Sequence, residues 1–136
     1  MSIKVLALSL ILAVLPGVAD ARSSASEKTL QASLKRYAQA VRWNDFAAAS
    51  ESVDPALRAP EGFSEDDEAY YKRFQISGYS LKTGARNGET EYSQRVELRI
   101  IDVASQTERV KTDRQTWRYD AAAKRWWLTS GLPRLD

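Results

Sequence analysis

The stretch YSQRVELRIIDVASQTERVKTDRQTWRYDAAAKRWWLTS, residues 92–130, decides the fold. Side chains of a β-strand point to opposite faces in turn, so a half-buried strand shows a period of two. Tyr92, Gln94, Val96, Leu98 and Ile100 share one parity, and Ser93, Arg95, Glu97 and Arg99 share the other. A helix would scatter that set round its axis. At Ile100 and Ile101 the parity slips, and Val103 follows Ile101. Either both faces are covered at that point or a bulge re-aims the strand. A second strand is predicted over about 107–119, rich in Thr and aromatics that suit a pleated surface. Gln115, Trp117 and Tyr119 lie on one of its faces; Thr112, Arg114, Thr116 and Arg118 lie on the other. Residues 120–124 form a short turn. A last strand over 125–129 carries Trp126 and Trp127 side by side, facing opposite ways. Core or sheet-face packing accounts for such tryptophans; a ligand-stacking surface is the alternative.

Upstream, residues 74–83 read as the first strand, with Gly78 marking a bend or bulge. Asn87-Gly88 is a hairpin signal in which both positions take positive φ. Leu30, Leu34, Tyr37 and Val41 fall at spacings of four, three and four, one apolar stripe on a helix that Ser26 is placed to cap. Asn44-Asp45 interrupts it, and Asp45 can cap a short second helix through Phe46, Ala49 and Val53, ended at Asp54-Pro55. Ser64 followed by Glu65, Asp66 and Asp67 starts a short third helix, with acids where the helix dipole favours them. The run Glu65 to Glu68 reads as a solvated first turn, because hard cations want converging oxygens and a glycine turn. The fold class expected is α+β, with N-terminal helices packed on a strongly bent four-stranded antiparallel sheet.

A chain of 136 residues is expected to hold one domain. Its start reads as a cleavable signal peptide over residues 1–21. Lys4 supplies the positive end, Val5 to Leu15 is apolar apart from Ser9, Pro16-Gly17 follows, and Ala19-Asp20-Ala21 fits the small-x-small cleavage rule. The apolar run is shorter than the roughly 20 residues a bilayer span needs, so no stable membrane insertion is expected after cleavage. Residues 22–136 then form the domain, in the periplasm or secreted. No cysteine follows the leader, which excludes a lipid-anchored form. Removing residues 1–21 takes away one basic and one acidic residue, so the net charge stays at +2 with both signs interspersed. A nucleic-acid binder would show a basic stripe, and none is expected as a partner. The absence of histidine removes the usual general base, the usual zinc ligand and every Ser-His triad. No metal and no cofactor is expected.

The order of helices and strands resembles the nuclear transport factor 2-like (SnoaL-like, cystatin-like cone) superfamily. The resemblance rests on the helix over residues 30–41, on Trp43-Asn44-Asp45-Phe46 with the alanines after it, and on Asp54-Pro55. It rests also on the strand pair Thr116-Trp117-Arg118-Tyr119, turn, Arg125-Trp126-Trp127-Leu128. It covers nearly all of residues 22–136. It implies a cone with an internal pocket and, through the open sheet face, a homodimer. The superfamily hosts isomerases, dehydratases, cyclases, transport adaptors and accessory domains, so the fold does not choose among them. Its hydratase-type members use a His-Asp pair, which this chain lacks. Its ketosteroid isomerase-like members use an acidic base with a Tyr and a second acid. Asp102, Asp113, Tyr79 and Tyr119 are residues of those types here, and their spacing does not match that pattern.

Two functions follow as expectations. The first is a non-catalytic binding module for a small apolar ligand, a peptide or an envelope protein, with Tyr37, Trp43, Trp117, Trp126 and Trp127 shaping the contact. The second is a histidine-independent lyase or isomerase using a buried carboxylate of raised pKa. Asp102, at the end of the apolar parity of the long strand, is its candidate. Arg95, Arg99, Arg114 and Arg118 alternate along the strands. They read as a solvated face with cross-strand pairs or as a site for an anionic group.

Overall fold

A single α-helix lies against both the first and the last strand of one sheet, and that fixes the architecture. The computed structural model describes residues 17–136, with side chains from residue 25 onward. Helices α1 (Gly17–Arg42), α2 (Phe46–Ser50) and α3 (Glu65–Tyr71) precede strands β1 (Phe74–Arg86), β2 (Glu91–Asp102), β3 (Glu108–Asp120) and β4 (Arg125–Leu128). The strands pair antiparallel in the order β1-β2-β3-β4. Helix α1 packs on β1 and on β4, at opposite edges of the sheet. A flat sheet could not offer both edges to one helix, so the strands wrap round it. This is the α+β architecture expected from the sequence, a curved antiparallel sheet roofed by helices.

The apolar stripe of α1 fills that wrap. Leu30, Tyr37 and Val41 are buried with Val96, Leu98 and Ile100 of β2, Trp117 of β3, and Trp126 and Leu128 of β4. Burying each large side chain stabilises the fold by about 1.5–3 kcal/mol, so this stripe and its strand partners dominate the packing. Polar contacts fix the helix at both ends of its run. Trp126 Nε1 donates to the Ser26 carbonyl at 3.1 Å, and Arg42 donates to the Tyr79 carbonyl at 3.2 Å. Asn44, at φ 57°, bonds β1 as a strand would: its Nδ2 donates to the Phe74 carbonyl at 2.9 Å and its Oδ1 accepts from Ile76 N–H at 3.0 Å. The far edge, β4, is covered by residues 52–54, where Leu128 N–H donates to the Ser52 carbonyl and Asp54 N–H to the Leu128 carbonyl.

Several expectations shift. Over the described residues helix α1 runs from Gly17, so Ser26 lies inside it, with its hydroxyl taking a bond from Arg86 rather than capping. The apolar run of the predicted leader, residues 5–15, lies outside the described residues, and α1 passes through the predicted cleavage position after Ala21. Strand β2 pairs with β3 in unbroken register, so β2 itself carries no bulge at the parity slip, although β1 has an extra residue, Ser77, opposite Arg99 and Ile100; Ile101 is half-buried on the second face. The irregularities sit in β1, between Ile76 and Gly78 and between Leu81 and Thr83, where they bend the edge strand. The β1–β2 loop spans residues 87–90 with positive φ at Gly88 and not at Asn87, so it is longer than the two-residue turn expected. The Arg86 guanidinium closes it by donating to the carbonyls of Gly88 and Glu89. The caps at Asp45 and Ser64 are as read, Ser64 and Asp67 forming a reciprocal capping box.

Candidate functional site

Polar side chains interrupt the helix-facing side of the sheet at one place. Asp113, Gln115 and Trp117 alternate along β3 and so share its inner face; Gln94 of β2 lies directly opposite Gln115. Gln115 is buried and serves as a hub. Its Nε2 donates to Asp113 Oδ2 at 2.9 Å and to the Tyr79 hydroxyl at 3.0 Å. Its Oε1 accepts from Gln94 Nε2 at 2.8 Å and from Trp117 Nε1 at 3.3 Å. The Tyr92 hydroxyl donates to Gln94 Oε1 at 3.2 Å. Every hydrogen-bonding position of the Gln115 amide is used, which holds the cluster rigid.

Beside this network stands Tyr37 of α1, wholly buried and edge-on to Trp117 with ring centroids 5.5 Å apart. Its hydroxyl has no hydrogen-bond partner among the described residues. Burial pushes the Tyr37 hydroxyl well above its ordinary value, with the charge of Asp113 the next cause. Burial likewise pushes Tyr79 up to about 12, against the Gln115 bond. Burial raises the Asp113 carboxyl too, opposed by the Gln115 amide and the Lys111 charge. The inner face thus joins a carboxyl whose pKa burial raises to a buried phenol with no partner among the described residues. The Tyr37 hydroxyl is a donor without an acceptor in this apolar setting.

The segment after β4 closes this end of the cone. Leu135 is wholly buried in the core cluster, while Pro133, Leu135 and Asp136 are gripped by side chains. The Tyr71 hydroxyl donates to the Pro133 carbonyl at 3.0 Å, and Leu135 N–H donates to the Tyr70 hydroxyl at 2.8 Å. Lys111 Nζ donates to the Asp136 carbonyl at 3.2 Å, and the Tyr70 hydroxyl also bonds the Asp136 carboxylate. Lys111 stands two residues from Asp113 on the same face of β3, so its bond to Asp136 brings the segment to the Asp113 end of that face.

The aromatic residues predicted to shape one contact are dispersed. Tyr37, Trp117 and Trp126 are in the core. Trp127 lies outside that core cluster, with the Arg125 guanidinium 3.8 Å from its ring centroid, and Nε1 donating to Asp120. Trp43 is 82% exposed at the α1–α2 junction and joins none of them. Asp102 is corrected outright. It caps the β2–β3 turn, accepting from Ala104 N–H at 3.0 Å and Ser105 N–H at 3.1 Å, and those bonds lower its pKa. A carboxylate held ionised in a surface turn is no buried base. Parity explains the error: Asp102 continues the inner row of β2, but the chain turns there and its carboxylate bonds the turn N–H groups instead of entering the core. Gln94 and Gln115 were visible as inner-parity residues, and Asp113 extends the Gln115 row; the grip on Leu135 left no periodic signal. Among the described residues no group of His, Cys, Asp or Glu is placed to hold a metal ion, and no helix is long and apolar enough to cross a membrane.

No family model matches the chain, and no curated protein matches it. Two solved structures are similar in chain trace. One, described as a SnoaL-like polyketide cyclase from Mesorhizobium loti, has 14% identity and a TM-score of 0.46, over 74% of this chain and 94% of its own. The other, a nuclear transport factor 2-like protein with a cystatin-like fold from Novosphingobium aromaticivorans, has 18% identity and a TM-score of 0.47, over 82% of each chain. Both are described in the terms of the superfamily that the sequence resembles. At these values the likeness carries no argument about residues or activity.

Proposed function

We propose that this domain is a non-catalytic binding module, working outside the cytoplasm, for a small and largely apolar ligand that carries a hydrogen-bond acceptor such as a carbonyl. The ligand enters at the Asp113–Tyr37–Tyr79 cluster when the segment over it gives way. One observation carries this reading: the Tyr37 hydroxyl is buried without a partner among the described residues, near a carboxyl whose pKa burial raises. An unpaired buried hydroxyl costs about 1–3 kcal/mol, and an acceptor delivered by a ligand would offset that cost. The part of the segment that must move, residues 131–136, is held through side chains, with no backbone–backbone bond of its own among the described residues. Export is supported by the pattern of residues 1–21. The test is thermal melting of the full chain against a panel of small ketones, esters and phenols. Stabilisation by a carbonyl-bearing member in the wild type, lost in Tyr37→Phe, is the expected result. A panel without effect, or an effect indifferent to Tyr37→Phe, would refute the reading.

The raised pKa of Asp113 favours a second reading, a lyase or isomerase in which this carboxylate moves a proton. The two separate cleanly. A binding module keeps its ligand unchanged, whereas an enzyme exchanges a substrate proton with deuterated solvent and loses that exchange in Asp113→Asn.

A further inference from the structure

The outer face of the sheet carries a second feature, remote from the cluster within. The register sets Arg95 of β2 directly opposite Arg114 of β3. Thr83 of β1 completes that row, and the next row is Ala85, Ser93 and Thr116. These six side chains and the backbone between them line an open trough of about 330 Å³. Two guanidiniums stand along one side, and small or hydroxyl-bearing residues form the floor.

Like charges placed directly opposite on a sheet destabilise it, since the Cβ atoms stand only about 4.5–5.5 Å apart. Three other cations of this face are paired, and Arg125 of β4 lies over the Trp127 ring. Arg99 meets Glu108 at 3.5 Å, Arg118 meets Asp54 at 2.9 Å, and Lys82 meets Glu97 at 3.9 Å. Arg95 and Arg114 have no ion pair among the described residues, although Glu97 is only two positions from Arg95. The repulsion is therefore concentrated where the floor is smallest and most polar.

We propose that the Arg95–Arg114 trough binds a phosphate monoester or an equivalent oxoanion dianion. Each planar guanidinium offers two parallel N–H donors to a tetrahedral oxoanion, and two of them match its double charge. The Thr83 and Ser93 hydroxyls stand in the same rows to complete the shell. The anion removes the like-charge penalty, so occupancy is coupled to sheet stability.

The test follows backbone amide NMR shifts of the full chain during titration with inorganic phosphate, at constant ionic strength set by chloride. Saturable shifts at Ser93, Arg95, Arg114 and Thr116 are expected. Arg95→Gln or Arg114→Gln should weaken the apparent affinity at least about tenfold, while Arg99→Gln leaves it unchanged. Without phosphate, Arg114→Gln should melt slightly higher than wild type. Non-saturating shifts, or an Arg99→Gln effect equal to that of Arg95→Gln, would reduce the feature to diffuse charge and overturn the site. Phosphatidate-containing vesicles form a second arm. Vesicle binding that free phosphate displaces assigns a lipid headgroup, and free-phosphate binding without vesicle binding assigns a soluble ester. Vesicle binding that phosphate does not displace contradicts the site.

Discussion

Leu135 donates its backbone N–H to the hydroxyl of Tyr70 at 2.8 Å while its own side chain is wholly buried. One apolar knob and a few side-chain bonds thus hold the segment against the core. Leu135→Ala should cost about 2 kcal/mol in urea unfolding, at the low end for a buried leucine because the segment can settle into the space. Tyr70→Phe removes the acceptor shared by Leu135 and Asp136 and should cost about 1 kcal/mol. In both variants amide exchange at Leu135 should quicken more than exchange in β2. Uniform change across the sheet would mean that the segment opens only with global unfolding.

The hydroxyl of Tyr37 gives an unusual expectation for a core tyrosine. Most Tyr→Phe changes in a core lose a hydrogen bond. Here no partner is present among the described residues, so Tyr37→Phe should leave the melting temperature unchanged or raise it. A loss of about 1 kcal/mol or more would show that the hydroxyl is satisfied in solution.

Asp113 sets a pH dependence opposite to that of the surface aspartates. Its folded pKa lies above the ordinary 3.8, so in the window between the two the native state holds more protons than the unfolded chain. Its contribution to stability therefore falls as pH rises through that window, and the penalty is constant above it. Asp54 and Asp120 are lowered, chiefly by the N–H groups of Ala56 and Ala123. The stability they add is present above 3.8 and is lost as pH falls through their folded values. Asp113→Asn should accordingly be more stable than wild type at neutral pH, with the two unfolding curves converging on acidification. Curves that stay parallel would mean that Asp113 is not desolvated.

Trp43 tests the dispersed aromatic surface. At 82% exposed it contributes little packing, and Trp43→Ala should change stability by no more than about 0.5 kcal/mol. It should also leave ligand affinity at the inner cluster unaltered, as measured by the same melting panel. A loss of affinity would return Trp43 to the site.

The strands were legible because one covered face leaves a period of two, and Val96, Leu98 and Ile100 all lie in the core as that period requires. The helices were legible through Asp45 and Ser64, whose capping chemistry is local. What escaped was non-local. Parity places Asp102 and Asp113 alike on inner rows and both are half-buried; what separates them is that the N–H groups of the β2–β3 turn bond Asp102 and lower its pKa, whereas burial raises that of Asp113. Leu135 sits among Pro, Gly and charged residues with no periodicity, so its burial depends on Tyr70 and Tyr71 some sixty positions earlier in the chain. The facing of Arg95 and Arg114 needed the register, which alternation within single strands does not fix.

The inner cluster is tested most directly at the Trp117 indole N–H, which bonds Gln115 and lies beside Tyr37. Its NMR resonance would be followed during titration with acetophenone, an apolar ring bearing one carbonyl acceptor, in wild type, Leu135→Ala and Tyr37→Phe. A saturable shift in wild type, tighter in Leu135→Ala and abolished in Tyr37→Phe, is the expected result. An indole resonance that does not move in any of the three proteins, or moves equally in all, would contradict a ligand site beneath the closing segment.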